Sequence, residues 1–237
     1  MSCKFFFGFM PRPLNLRLSA SFFRASGKDE KKMKNQAKTT KTVNLTTMAL
    51  FTALIIIMSV TPLGYLKLGA IEISFIMLPV AVGGMLLGPW YGAALGAVFG
   101  ITSFIQCFGA SAFGVALLSI NPFYTAVICL VPRILAGFVP ALLFKALIKT
   151  DKTKIVSFGV ASLLSALLNT VLFVGSVILF FWNTDFIRGL AETLGADNIL
   201  AFGAAFAGVN ALFEAGVCLV VGTAVGKALY AVKEKLN

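Results

Sequence analysis

The chain has 237 residues, of which 59% are hydrophobic and 12% charged, and its net charge is +11. Soluble domains carry roughly a quarter charged residues, so this composition excludes a soluble globular protein and points to a polytopic membrane protein. There is no histidine, which removes histidine-based metal sites and acid–base relays.

The charge is concentrated at the start. Residues 1–42 hold ten Lys and Arg against Asp29 and Glu30. Beside a membrane helix such a segment is an orientation signal rather than a nucleic-acid site. Residues 1–43 therefore read as a basic tail, expected to be disordered, and 44–237 as a single membrane domain. The apolar run FFFGFM is broken by Pro11 and Pro13 and makes a poor signal peptide. Met33 and Met48 offer alternative starts.

The first expected span is Leu45–Leu63. The next apolar territory, Ile71–Phe108, would be roughly 55 Å long as one helix, too long for a hydrocarbon core of about 30 Å. Glycines stand every fourth residue through it, at Gly84, Gly88, Gly92, Gly96 and Gly100. Pro89 lacks an N–H and drives Gly88 out of helical geometry, so LGPWYG is a turn between span two (Ile71–Leu87) and span three (Tyr91–Phe108). Gly92, Gly96 and Gly100 then share a face suited to close helix packing within the bundle, a reading preferred over a partner-docking face.

Pro122–Ile148, Ile155–Phe181 and Asn198–Val232 complete six transmembrane helices. The segments on the side of the tail hold nearly every Lys and Arg, whereas the opposite segments hold only Lys67 and Arg188. The positive-inside rule then predicts both termini in the cytoplasm. The fold expected is an all-α integral membrane protein with a short extended outer loop between helices 1 and 2.

Chemistry-bearing motifs are few. Cys3, Cys107, Cys129 and Cys218 form no ligand spacing, so no metal site is expected. No GxxxxGK[ST] phosphate loop occurs. A carboxylate cluster and nucleophile–base pairs are missing too, which argues against an integral membrane enzyme and leaves no catalytic residue to name. What remains is a set of polar groups deep in apolar helices, where they are expensive. Arg133 and Glu214 fall near mid-membrane, Asn169 is central to span five, and Asn210 lies one turn from Glu214. Gln106 and Asn121 lie nearer the outer ends. Arg133 and Glu214 either form a buried ion pair or help line an outward-open pocket, with Glu214 orienting the guanidinium toward a substrate carboxylate. Pro122 and Pro132 free carbonyls in the same helix.

The six spans, LPVAVGGMLLGPWYGAALGAVFG, NPFYTAVICLVPRILAG and LLNTVLF together resemble the substrate-binding S components of energy-coupling factor (ECF) vitamin transporters, over about Leu45–Lys235. Within that group the chain is most similar to the pantothenate type. The resemblance implies a vitamin-binding subunit in a prokaryotic plasma membrane, working with a membrane coupling subunit and two separate ATPases that hydrolyse ATP. No cofactor is implied for this chain. It implies that Ala49 and Ala53 in helix 1 contact the coupling subunit, and that the first outer loop, Leu63–Ser74, closes over the solute. Tyr65 then contacts ligand, and Lys67 is a ligand contact or an interfacial anchor. Arg133 would hold a carboxylate, with Asn121, Asn169 and Asn210 reading polar groups and Glu214 beside them. Folate, another vitamin or a modified base is the alternative solute. An autonomous secondary transporter would predict inverted repeats, and no internal similarity supports one.

Overall fold

The computed structural model describes residues 41–61, 64–68 and 71–236. The chain runs from helix α1 (Lys41–Val60) into an antiparallel hairpin of β1 (Tyr65–Leu68) and β2 (Ile71–Ser74). Helices α2 (Met77–Leu87), α3 (Pro89–Gln106), α4 (Ala112–Ile120), α5 (Pro122–Leu147), α6 (Ile155–Phe181), α7 (Asp185–Thr193) and α8 (Ile199–Val217) follow. A π-helical turn, Cys218–Gly222, joins α8 to α9 (Thr223–Leu236). Asn44–Asn237 fold as one unit. Of the basic tail expected over residues 1–43, residues 1–40 lie outside the described residues, and residues 41–43, expected to be disordered, instead form the first turn of α1.

Among the described residues, four helices are long and apolar enough to cross a membrane: Lys41–Val60, Pro122–Leu147, Ile155–Phe181 and Ala211–Val232. The burial pattern inverts that of a soluble bundle. Leu200, Leu179 and Leu212 are more than 70% exposed, while Ser157, Ser162 and Ser165 are fully buried. Outward leucines and inward serines suit lipid outside and interhelical hydrogen bonding inside.

The second span differs from the sequence expectation. Helix begins at Met77, not Ile71, and its 11 residues reach only about 16 Å at 1.5 Å per residue. Ile71–Ser74 instead pairs with β1, in the register Tyr65↔Ser74 and Lys67↔Glu72. The physical reason is the period of two in Ile-Glu-Ile-Ser, which satisfies its backbone across a ladder. The LGPWYG turn is tighter than expected. Gly88 adopts φ 113°, a conformation that favours glycine, and Pro89 directly opens α3.

Glycine sets how α2, α3 and α5 meet. A Cβ on Gly96 would overlap the Arg133 carbonyl, one on Gly92 would overlap the Gly137 carbonyl, and one on Gly100 would sit 2.9 Å from the Cys129 carbonyl. The three glycines of α3 thus meet α5 at four-residue intervals, which holds the two backbones in direct contact. Gly84 joins the same crossing from α2, because its Cβ would lie 3.0 Å from the Gly92 Cα.

Two short helices stand where the sequence suggested only outer connecting segments. Ser111 accepts the Gly114 N–H to start α4, and Thr184 accepts the Ile187 N–H to start α7. In α7 the charges of Asp185, Arg188 and Glu192 mask an amphipathic pattern. Its Ile187 and Ala191, one turn apart, are buried against Phe202 and Val177.

Candidate functional site

The site is organised by the two internal prolines of α5. Asn121 opens that helix by accepting the N–H groups of Phe123 and Tyr124, with Pro122 at its first position. Pro132 and Pro140 lie inside it. Each removes the donor that would serve the carbonyl four residues earlier, which leaves Ile128 and Ala136 in need of partners. Both find side chains. Arg133 Nη1 donates to the Ile128 carbonyl at 2.7 Å, and Ser165 Oγ of α6 donates to the Ala136 carbonyl at 2.8 Å. The Pro132-Arg133 pair therefore makes a gap in the helix and supplies the cation that occupies it.

Arg133 is 8% exposed. Its guanidinium carbon lies 4.5 Å from the centroid of Phe173 on α6 and 5.7 Å from that of Phe99 on α3. Phe113 of α4 packs beside Phe173 and against Phe206 of α8. A guanidinium set among aromatic faces keeps its charge while water is excluded, which strengthens its attraction for an anion.

Asn169 lies on α6 between Ser165 and Phe173, the two residues that touch α5 at Ala136 and Arg133. It is 8% exposed, and its Oδ1 is buried with no hydrogen-bond partner. A buried acceptor without a donor calls for a ligand or an ordered water.

Glu214 of α8 is also 8% exposed, and its Oε1 accepts the backbone N–H of Ser74 at 2.8 Å. The carboxylate thus holds the last residue of the hairpin, a contact the sequence did not suggest. Ser74 stands opposite Tyr65 in the hairpin, so Tyr65 begins the strand paired with the one that Glu214 anchors. At the hairpin's foot Phe75 N–H donates to the Gly64 carbonyl at 2.9 Å. Nearby, Gln106 Nε2 donates to the Ser59 carbonyl at 2.6 Å and ties α3 to the end of α1.

The structure thus gathers Arg133, Asn169 and Glu214 as buried polar groups. Asn121 is half-buried and its carbonyl oxygen is committed to the α5 cap. Asn210 falls in α8 one turn before Glu214; its side chain and that of Tyr65 lie outside what the structure describes. Ala49 and Ala53 are both exposed on α1, the least buried of the four long helices. Sequence reading missed Phe99, Phe173, Ile128 and Ser74. Phe173 had a signal, its i+4 spacing from Asn169; the Ser74 contribution is a backbone group and has none. Among the described residues no cluster of three metal-ligating side chains occurs. The arrangement offers a shielded cation, amide groups and a carboxylate, which is chemistry for recognition.

Residues 43–225 match the family described as ECF transporter, substrate-specific component. The chain is 29% identical, over 202 residues, to the pantothenate transporter PanT of Leuconostoc mesenteroides, covering 82% of this chain and 96% of that one.

Proposed function

Because the chain belongs to the substrate-specific component family of ECF transporters, we propose that it is the membrane subunit that selects pantothenate for an ECF-type importer. The vitamin is that of the Leuconostoc relative. The observation that carries the site is the buried Arg133 guanidinium with Asn169 a helical turn from its aromatic partner Phe173. Pantothenate offers a carboxylate for the guanidinium and hydroxyl and amide N–H donors for the Asn169 oxygen. Asn210 and Tyr65 supply further polar contacts, and Asn121 retains its amide N–H₂ for the same purpose.

Glu214 works on the lid rather than on the ligand's anion. By holding Ser74 it keeps the hairpin over the site, and the negative carboxylate stays away from a negative solute. Solute enters when the hairpin lifts.

The chain crosses the membrane six times, with both termini in the cytoplasm of a prokaryotic cell. The four lysines between Lys145 and Lys154 support this orientation. Energy comes from two ATPases acting through a coupling subunit, which meets the exposed Ala49 and Ala53 face of α1. Small residues four apart let a partner helix approach closely.

Mass spectrometry of the small molecule released from the detergent-purified chain tests the assignment. The mass of pantothenate is the expected result; a different vitamin retained at one per chain would overturn it.

A further inference from the structure

We propose that the chain carries a second binding site, for one anionic diacyl phospholipid, in the groove between α6 and the π turn with α9. The groove has a volume of about 580 Å³ and is walled by apolar side chains including Val156, Val160, Leu163, Leu219 and Val220. Gly159 forms its floor, where a Cβ would sit 3.3 Å from the Leu219 side chain and 3.4 Å from the Thr223 hydroxyl. Val156 and Val220 are each more than 60% exposed, so the groove opens sideways to lipid.

Charge selects the occupant. Among the residues lining the groove Lys227 alone is charged, and it lies toward one end, near the first residue of α6, Ile155. A second cation marks the same end. The Lys154 ammonium lies 4.5 Å from the Tyr230 ring centroid, one turn beyond Lys227 on α9. Lys149 and Lys152 belong to the same loop, and its acidic residue, Asp151, has both carboxylate oxygens taken by Thr153 and Ser157. An occupant must therefore be apolar along the groove and anionic at the loop end. A phospholipid of the leaflet on the loop side has that polarity, its acyl chain against Gly159 and its phosphate at Lys227, whose stem lies along the apolar wall.

Native mass spectrometry of the full chain tests this, with palmitoyl-oleoyl phosphatidylglycerol and the matching phosphatidylcholine as probes. The expected result is one retained phosphatidylglycerol, preferred over phosphatidylcholine by about fivefold, the factor one lysine supplies near an anionic surface. Lys227→Gln removes the preference. Val160→Trp fills the groove from its lipid-facing wall and abolishes retention of either lipid, while thermal unfolding and vitamin binding report an intact fold. Equal retention of the two lipids by the native chain would overturn the proposal, as would an unchanged preference in Lys227→Gln or unchanged retention in Val160→Trp. If lipid is not retained and the groove becomes protected only on adding the coupling subunit, the groove is a protein interface and the proposal fails. Vitamin binding is read separately, so failure here leaves the solute assignment standing.

Discussion

Glu214, inside α8, accepts the backbone N–H of Ser74, 140 positions earlier in the chain, at 2.8 Å. A carboxylate that binds a backbone group is insensitive to which side chain stands at that position, so the hairpin is held by its geometry. Hydrogen bonds to charged groups contribute about 1.5–3 kcal/mol, so Glu214→Ala is expected to raise Ser74 amide exchange by about tenfold or more. Glu214→Gln keeps an acceptor and most of the protection. Identical exchange at Ser74 in the native chain and Glu214→Ala would remove Glu214 from the lid.

Arg133 has two duties, and they separate experimentally. Arg133→Ala strips the Ile128 carbonyl of its donor, at a cost of about 1–3 kcal/mol, and removes the anion-binding charge. Adding Pro132→Ala returns a helical N–H to Ile128. The double variant is expected to regain the lost thermal stability and none of the affinity for an anionic vitamin, which falls by about a hundredfold or more when one partner of a buried charge pair is truncated. Recovery of affinity in the double variant would show that Arg133 acts only on the helix.

Gly96 lies against the Arg133 carbonyl. Gly96→Ala forces α3 and α5 apart, with an expected loss of about 1–3 kcal/mol, and moves the backbone that carries the site. Gly175, where a Cβ would meet nothing within 4 Å, is the control: Gly175→Ala is expected to be neutral or mildly stabilising. Equal effects on the unfolding midpoint would contradict the glycine-mediated contact.

Asp151 ties down the start of α6 from outside the helix. Its carboxylate is held at about 2, below the ordinary 3.8, first by the Ser157 N–H and also by Thr153. A depressed acid stabilises the fold fully above its unfolded value and loses that contribution as pH falls through the folded one. Amide protection at Ser157 is therefore expected to hold from neutral pH to about 4 and to fall toward pH 2. Asp151→Asn should lower it from neutral pH down to about 4 and make little difference near pH 2, and a loss of protection centred near pH 6 would point to another group.

Much of the bundle was legible because lipid imposes simple rules. The bounds of α6, the break at Gly88 and the inward glycine face follow from length, proline chemistry and small-residue spacing. Arg133, Asn169 and Glu214 stood out because polar groups are expensive in apolar helices. The hairpin was harder, since Ile71 and Ile73 read equally as the start of an apolar helix until β1 supplies a pairing partner. Burial of Ile187 and Ala191 in the charged α7 depends on Phe202, which lies beyond it in the chain. The Glu214–Ser74 bond was illegible, because no side-chain pattern reports which backbone N–H a carboxylate will find.

The central claim is a buried cation that selects a vitamin carboxylate, and calorimetric titration of the purified chain tests it most directly. The native chain is expected to bind pantothenate at one per chain and to bind pantothenol, which carries an alcohol in place of the carboxylate, at least about a hundredfold more weakly. Arg133→Ala combined with Pro132→Ala should erase that difference. Equal affinity of the native chain for the acid and the alcohol would contradict the account.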